Sequence, residues 1–376
     1  MANEANKERL QASIATLENE LKRYDDKSFN VYFFTLDSKG NPSATIRYTY
    51  QIAYALQEKG YKVTMLHQEQ QFVGVAGWLG EKYATIPHKN VEKENVEINH
   101  ADFLFIPEIY ANVMSQTKNL PCKRIVLLTN MNYLTEVIPV GVTWFDMGID
   151  EAVTTTKYNE NLIKNYFPGV KTHIVPPCIP SMFRKSDKPQ DLIINFVAKD
   201  PTSINKVIKP FFWKYPIYKW ISFRDLRGLP QENFADALRE AAFTIVIDDD
   251  TNFGTSILEA ANSGSLVLAK VPTIITDWML EEDQKTLKKG VIWFDDLRVV
   301  PDVIASVVRS WLLDNIPAEL GQEAEKLKDL YTKELQDIQI ADVFEKTLFE
   351  GRQKEMKEAL EQFKSQLNKE EEVKAE

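Results

Sequence analysis

Short unbroken apolar runs alternate with helical stretches along this chain, and the alternation occurs twice, on either side of a proline-rich break. In the first half FNVYFFTL (29–36), YKVTMLHQ (61–68), DFLFIPE (102–108), KRIVLLTN (123–130), EAVTTT (151–156) and THIVPP (172–177) read as strands, with a helix at YTYQIAYALQEKG (48–60) closed by Gly60. Runs that are apolar at consecutive positions belong to strands buried on both faces, as in parallel sheets. Alternation with helices then predicts a doubly wound sheet. After VPPCIPSMFRKSDKPQD (175–191) the rhythm restarts with LIINFVAK (192–199), KWISFRD (219–225), AFTIVIDDD (242–250), SLVLAK (265–270) and GVIWFDD (290–296). Helices are expected between them at 233–241, 255–264 and 301–314. The stretch 69–100, with Gly74, Gly77 and Gly80, reads as loops and a short strand.

Both ends of the chain are helical in pattern. Leu10, Ile14, Leu17 and Leu21 make one apolar stripe on a helix over 5–24, expected to pack on the first domain or on a second copy of the chain. Ile340, Val343, Phe344, Leu348, Met356, Leu360 and Phe363 recur at roughly helical spacing, so this stretch also needs a surface to pack against. The last ten residues, LNKEEEVKAE, read as a solvated tail.

Composition narrows the function. A length of 376 residues fits two domains. The net charge of −10 argues against wrapping a nucleic-acid backbone, yet one local cluster of cations suffices for a small anionic ligand. Cys122 and Cys178 have no metal-site spacing, and no metal is expected. A reducing compartment is the simplest setting for them. The start MANEANKERLQ lacks an apolar core, and no run approaches the roughly 20 residues that span a bilayer. The expected location is therefore cytoplasmic, at most peripheral to a membrane.

In open parallel sheets, ligands sit outside the carboxyl ends of the strands. The richest such segment is IVIDDDTNFGTSILEAANSGSLVLAK (245–270). A strand ends in acids, a glycine turn follows, and a helix starts near Thr255 or Ser256. Amides at a helix start bind phosphate, and Gly254 lets the backbone come close. Glu259, one turn into the helix, is placed to meet a sugar hydroxyl. The plainer alternative makes Ser256 a helix cap and Glu259 a solvated residue.

The stretch TNFGTSILEAANSGSLVLA (251–269) resembles the donor-site segment of the family 4 glycosyltransferases, which have the GT-B fold. Phe253, Gly254, Leu258, Glu259, Ala260, Gly264 and Val267 fall in register with it, and the resemblance in layout extends over about 29–335. It implies an α/β chain of two Rossmann-like domains facing a cleft: an N-terminal helix (1–26), an acceptor domain (27–176), a linker (177–190), a donor domain (191–335), and a C-terminal helical segment with a charged tail (336–376). In this fold the C-terminal helices often cross back to the first domain, and they are expected to do so here.

The resemblance also implies a nucleotide-sugar substrate, no cofactor and no metal, with Glu259 on the ribose and Gly254, Thr255 and Ser256 on the phosphates. Two positions depart from the family pattern. Its first donor-site acid falls on Thr251, with Asp250 adjacent as a possible substitute, and its diphosphate arginine falls near Ala198. Lys199 is then the best-placed cation, with Lys206, Arg224 and Lys270 as the other candidates; a lysine lacks the bidentate fork of arginine.

Other candidates come from strand ends. His67 is a candidate base or sugar ligand, with a structural histidine as the alternative. Glu108, Asn130 and Asn132 suit acceptor hydroxyls, although asparagine also favours turns. KVIKPFFWKYPIYKW (206–220) interleaves lysines with aromatics. It reads either as a membrane-surface patch or as a core-packed helix and strand with solvated lysines, and the second is preferred.

The leading expectation is retaining transfer of a sugar to a saccharide, lipid-linked or protein acceptor. The alternatives are a GT-B scaffold without catalysis, acting as a partner subunit or homo-oligomer through the N-terminal helix, and transfer onto modified DNA bases.

Overall fold

The computed structural model describes residues 2–250 and 253–375. The first domain is one parallel sheet of seven strands: β1 (Asn30–Phe34), β2 (Lys62–His67), β3 (His88–Asn90), β4 (Phe103–Pro107), β5 (Lys123–Leu128), β6 (Glu151–Thr154) and β7 (Lys171–Ile174), in the spatial order β3-β2-β1-β4-β5-β6-β7. The consecutive apolar residues are explained by burial on both faces. Val31 and Phe33 join one core layer, Tyr32 and Phe34 the other, as the two-residue period of a strand requires.

The second domain is a parallel sheet of five strands: β8 (Asp191–Ala198), β9 (Ser222–Asp225), β10 (Ala241–Ile247), β11 (Leu266–Lys270) and β12 (Ile292–Phe294), in the order β12-β11-β10-β8-β9. Strand order reverses between β1 and β4 in the first sheet and between β8 and β10 in the second. Ligand crevices form at such switch points. The strand expected over 242–250 ends at Ile247, and Asp248 begins the turn that leads to the cleft.

Two buried amides fix the joint between the domains. Gln51 Nε2 donates to the Cys178 carbonyl (3.1 Å) and Gln336 Nε2 to the Pro176 carbonyl (3.3 Å).

The C-terminal helices do cross back. The run starts with the helix Lys333–Ile340, continues through a π-helical segment, Ala341–Phe349, and ends in the helix Glu350–Ala375. Ile340, Phe344, Leu348, Phe349, Met356 and Leu360 are buried in the same core layer as Phe29, Phe103 and Phe105 of the first domain. The N-terminal helix, Ala2–Asp25, lies along Glu350–Ala375, burying Leu10 and Leu17 and half-burying Ile14 and Leu21. Its stripe is therefore covered within the chain, the first of the two alternatives expected for it. Arg23 to Asp102 (2.6 Å) and Lys364 to Glu18 (2.9 Å) tie the two terminal helices in place. No helix among the described residues is long and apolar enough to cross a membrane.

The helix expected at 48–60 begins earlier, at Ala44, because Ser43 caps it by accepting from the Ile46 amide. That extra turn brings Arg47 into the helix and toward the second domain.

Candidate functional site

A cavity of about 330 Å3 lies between the carboxyl ends of the two sheets. Its second-domain wall is formed by Ala198 at the end of β8 and Lys199 just after it, Leu226 to Leu229 after β9, Asp248 after β10, and the start of the helix Thr255–Asn262. Ser43, Arg47 and Trp78 close it from the first domain.

The helix start is built for close approach. Gly254 has φ +73°, in the left-handed region that favours glycine. A β-carbon there would fall 2.5 Å from Met279 Cε and 3.0 Å from Trp278 Cζ2. Trp278 supports the loop through its indole N–H, which donates to the Phe253 carbonyl at 2.6 Å. Gly254, Thr255, Ser256 and Glu259 all line the cavity. The N-cap is Gly254, so Ser256, inside the first turn, does not act as the helix cap.

Glu259 is buried rather than solvated, and its carboxylate is engaged. Arg47 Nη1 donates to Glu259 Oε1 at 2.5 Å, joining the two domains across the cleft. Lys199 Nζ stands 2.9 Å from Asp248 Oδ1. Arg227 is held by Asp225, with Nε 2.8 Å from Oδ2 and Nη2 2.5 Å from it. The wall thus carries three cations, Arg47, Lys199 and Arg227, against two carboxylates, Asp248 and Glu259. Trp78 and Gln231 add two buried N–H groups, the indole Nε1 and the amide Nε2, that have no hydrogen-bond partner among the described residues. Buried donors of this kind are costly unless something pairs with them.

Several expected residues lie elsewhere. Arg224 is still inside β9 and pairs with Glu240 (2.7 Å), away from the cavity; Arg227, just past the strand end, takes the place expected for it. Lys270 pairs with Asp249 (2.6 Å), Lys206 is exposed on the helix Pro201–Lys214, and neither lines the cavity. Asp250 is exposed in its turn and donates its amide to Asp248; Asp248 is the acid that reaches the wall. Thr251 lies outside the described residues.

His67 is buried beside Phe72, with ring centroids 4.2 Å apart, on a strand one removed from the switch point. Asn130 caps the helix Met131–Val137 by accepting from the Asn132 amide, so both asparagines serve the turn. Glu108 turns inward. Its Oε1 accepts from the Thr129 amide and hydroxyl and from the Asn130 amide, while Oε2 has no partner among the described residues, and burial pushes the carboxyl up to about 7. Thr129 in turn meets Thr45 at 2.8 Å. Glu108 therefore anchors the first turn of the helix that carries Arg47, without lining the cavity.

Ser43, Arg47, Trp78 and Gln231 are among the wall residues that strand-end reasoning misses. The available signal was Pro42-Ser43 ahead of an apolar run, a helix start four residues earlier than the expected one. Among the described residues, no group of three or more His, Cys, Asp or Glu could hold a metal ion.

No protein-family model and no curated protein matches the chain. Solved structures do. Sucrose-phosphate synthase from Thermosynechococcus elongatus superposes with a TM-score of 0.59 at 10% identity, covering 85% of this chain and 98% of the other. An alpha-glucosyltransferase in complex with UDP and a 13-mer DNA containing an HMU base gives 0.54 at 12%, covering 83% and 98%. The catalytic domain of starch synthase IV from Arabidopsis thaliana, bound to ADP and acarbose, gives 0.52 at 10%, covering 85% and 99%. The chain has the GT-B fold of these glycosyltransferases.

Proposed function

We propose that the chain is a glycosyltransferase that takes a nucleotide sugar in the inter-domain cavity and passes the sugar to a saccharide, lipid-linked or protein acceptor, without a metal ion. The observation that carries this reading is the helix start at Gly254, which lines the inter-domain cavity beside three cations and a buried carboxylate. Amides and cations at that point suit a diphosphate, and Glu259 suits the ribose hydroxyls. The buried donors of Trp78 and Gln231 suit oxygens of the sugar or base.

In the reaction the sugar C1–O bond breaks with its electron pair moving to the diphosphate. The acceptor oxygen bonds to C1 on the same face, giving retention, and the hydroxyl proton passes to the departing phosphate oxygen. Lys199, Arg227 and a released Arg47 stabilise the developing charge, the role that the expected arginine near Ala198 leaves open. The acceptor enters along the first-domain wall at Ser43 and Trp78. The buried free thiols Cys122 and Cys178 fit a reducing, cytoplasmic setting.

A thermal-shift panel of nucleoside diphosphates and nucleotide sugars, followed by donor hydrolysis, tests the reading. Stabilisation that Glu259→Ala abolishes, together with turnover, is expected. Stabilisation that survives that substitution would remove the cavity from consideration. One observation favours a second reading, a scaffold without catalysis: Glu259 is already occupied by Arg47. Absence of any nucleotide shift would support it. Transfer onto DNA bases is disfavoured by the net charge of −10, and tight binding of duplex DNA at physiological salt would reverse that ranking.

A further inference from the structure

The segment 206–220 is only partly absorbed by the fold. Ile204, Val207 and Phe211 of the helix Pro201–Lys214 enter the core of the second domain. Trp213, Ile217 and Trp220 do not: they are 77%, 77% and 58% exposed. These three apolar side chains fall within eight residues, Trp213 in the last turn of that helix and Ile217 and Trp220 on the turn joining it to β9. Lys206, Lys209, Lys214 and Lys219 are all exposed around them. Lys214 is paired with Asp302 (2.5 Å), while Lys209 and Lys219 form no ion pair among the described residues.

We infer that this turn docks the protein on an anionic lipid surface. Tryptophan rings and an aliphatic side chain flanked by lysines match the headgroup boundary, where rings and methyls enter the acyl edge and cations meet lipid phosphates. The local positive charge stands out on a chain whose net charge is −10, so the patch is complementary to an anionic surface while the rest of the molecule is repelled by one.

Single-stranded nucleic acid fits less well. It needs a basic groove in which bases stack on flat rings, whereas Ile217 offers no ring and both it and Trp213 protrude into solvent. The patch lies at the amino-terminal edge of the second sheet, just before β9, whereas the cavity lies at the carboxyl ends. Docking there leaves the cleft open, and the inference is independent of what the cleft binds.

Co-sedimentation of the full chain with vesicles tests it, using phosphatidylcholine alone or with about a third phosphatidylglycerol. Binding is expected only to the anionic vesicles. Lys209→Glu with Lys219→Glu should lower the partition coefficient by at least about fivefold, at one lysine's worth of surface attraction. Trp213→Ala with Ile217→Ala and Trp220→Ala should lower it comparably, with the thermal midpoint unchanged as proof of folding. Brominated lipid should quench wild-type tryptophan fluorescence and leave Trp213→Phe with Trp220→Phe largely unquenched. Equal binding to neutral vesicles, no binding at all, or full binding by the folded variants overturns the inference. So does capture of a single-stranded oligonucleotide, lost in the tryptophan variants, without capture of lipid.

Discussion

Arg47 Nη1 and Glu259 Oε1 meet at 2.5 Å although 212 residues separate them in sequence, and the bond spans the cleft between two domains. The Glu259 side chain is 2% exposed and that of Arg47 12%, so neither charge is well solvated. Removing one partner leaves a buried charge alone, which costs about 3–5 kcal/mol. Arg47→Met should therefore lower unfolding stability by about that amount, and Arg47→Met with Glu259→Leu should recover most of it. Urea unfolding of the two single variants and the double variant measures the coupling; additive losses would mean that the pair does not act as one unit.

Lys199 and Arg227 line the same wall of the cavity. Charge-assisted hydrogen bonds to a diphosphate contribute about 1.5–3 kcal/mol each. Lys199→Met and Arg227→Met should each weaken a nucleoside diphosphate at least about tenfold and leave the unphosphorylated nucleoside unaffected. Calorimetric titration of both ligands separates the two effects, and an equal loss for both would place the cations away from the phosphates.

Gly254→Ala meets two obstacles. The backbone conformation at φ +73° costs a side-chain-bearing residue roughly 1–2 kcal/mol, and the added methyl collides with Met279 and Trp278. The expected loss is about 2–4 kcal/mol, with nucleotide binding lost as the helix start shifts. Gly40→Ala is the control: that glycine also has positive φ (+81°) but open space where the β-carbon would go, so only the conformational part should remain.

The second-domain wall was legible in the sequence because a strand ending in acids, a glycine turn and an apolar helix are all local signals. Gly254, Thr255, Ser256 and Glu259 stand on that local pattern, and Lys199 stands just past the end of β8. Arg47 was not legible, since its helix start was placed at 48 and nothing local says which cation will cross a cleft. Asp250 was chosen two residues past Asp248, the acid that reaches the wall, because that strand end was placed three residues late; Arg224 was chosen three residues short of Arg227 although the end of β9 was placed correctly at 225. Glu108 was placed at the right end of its strand, but whether a side chain turns into a crevice or back onto its own loop depends on packing that no spacing encodes.

Glu108 gives a pH signature. Burial holds its carboxyl neutral up to about 7, while in the unfolded chain it ionises near the ordinary 4.5. The folded protein thus keeps a proton that the unfolded chain releases. The associated stability is fully present below about 4.5 and is lost as the pH rises through about 7. Glu108→Gln retains the acceptor for Thr129 and Asn130 and removes the titration. Between about pH 4.5 and pH 8 the wild type should lose about 3 kcal/mol more than the variant. Denaturant unfolding of both proteins across that range checks this, and parallel curves would show that Glu108 titrates in the folded state as it does in the unfolded chain.

Phe344 tests whether the C-terminal helices belong to the first domain's core or merely lie on it. Its ring is fully buried in the π-helical segment, 5.2 Å from Phe105 on β4 and 6.3 Å from Phe349, which itself packs on Phe29 and Phe103 at 5.1 and 4.6 Å. Truncating a buried phenylalanine in such a cluster costs about 3–5 kcal/mol, because the ring's transfer energy is lost and the surrounding rings relax only partly. Phe344→Ala should therefore lower the unfolding free energy by that amount. Ile338→Ala, on the preceding turn of the same helical run but 58% exposed, should change it by less than about 0.5 kcal/mol. If both variants unfold like the wild type, the helices are an appendage. If only Phe344→Ala is destabilised, the first sheet depends on residues that follow the second domain in sequence, and the two domains cannot be separated by cutting the linker near Cys178 alone.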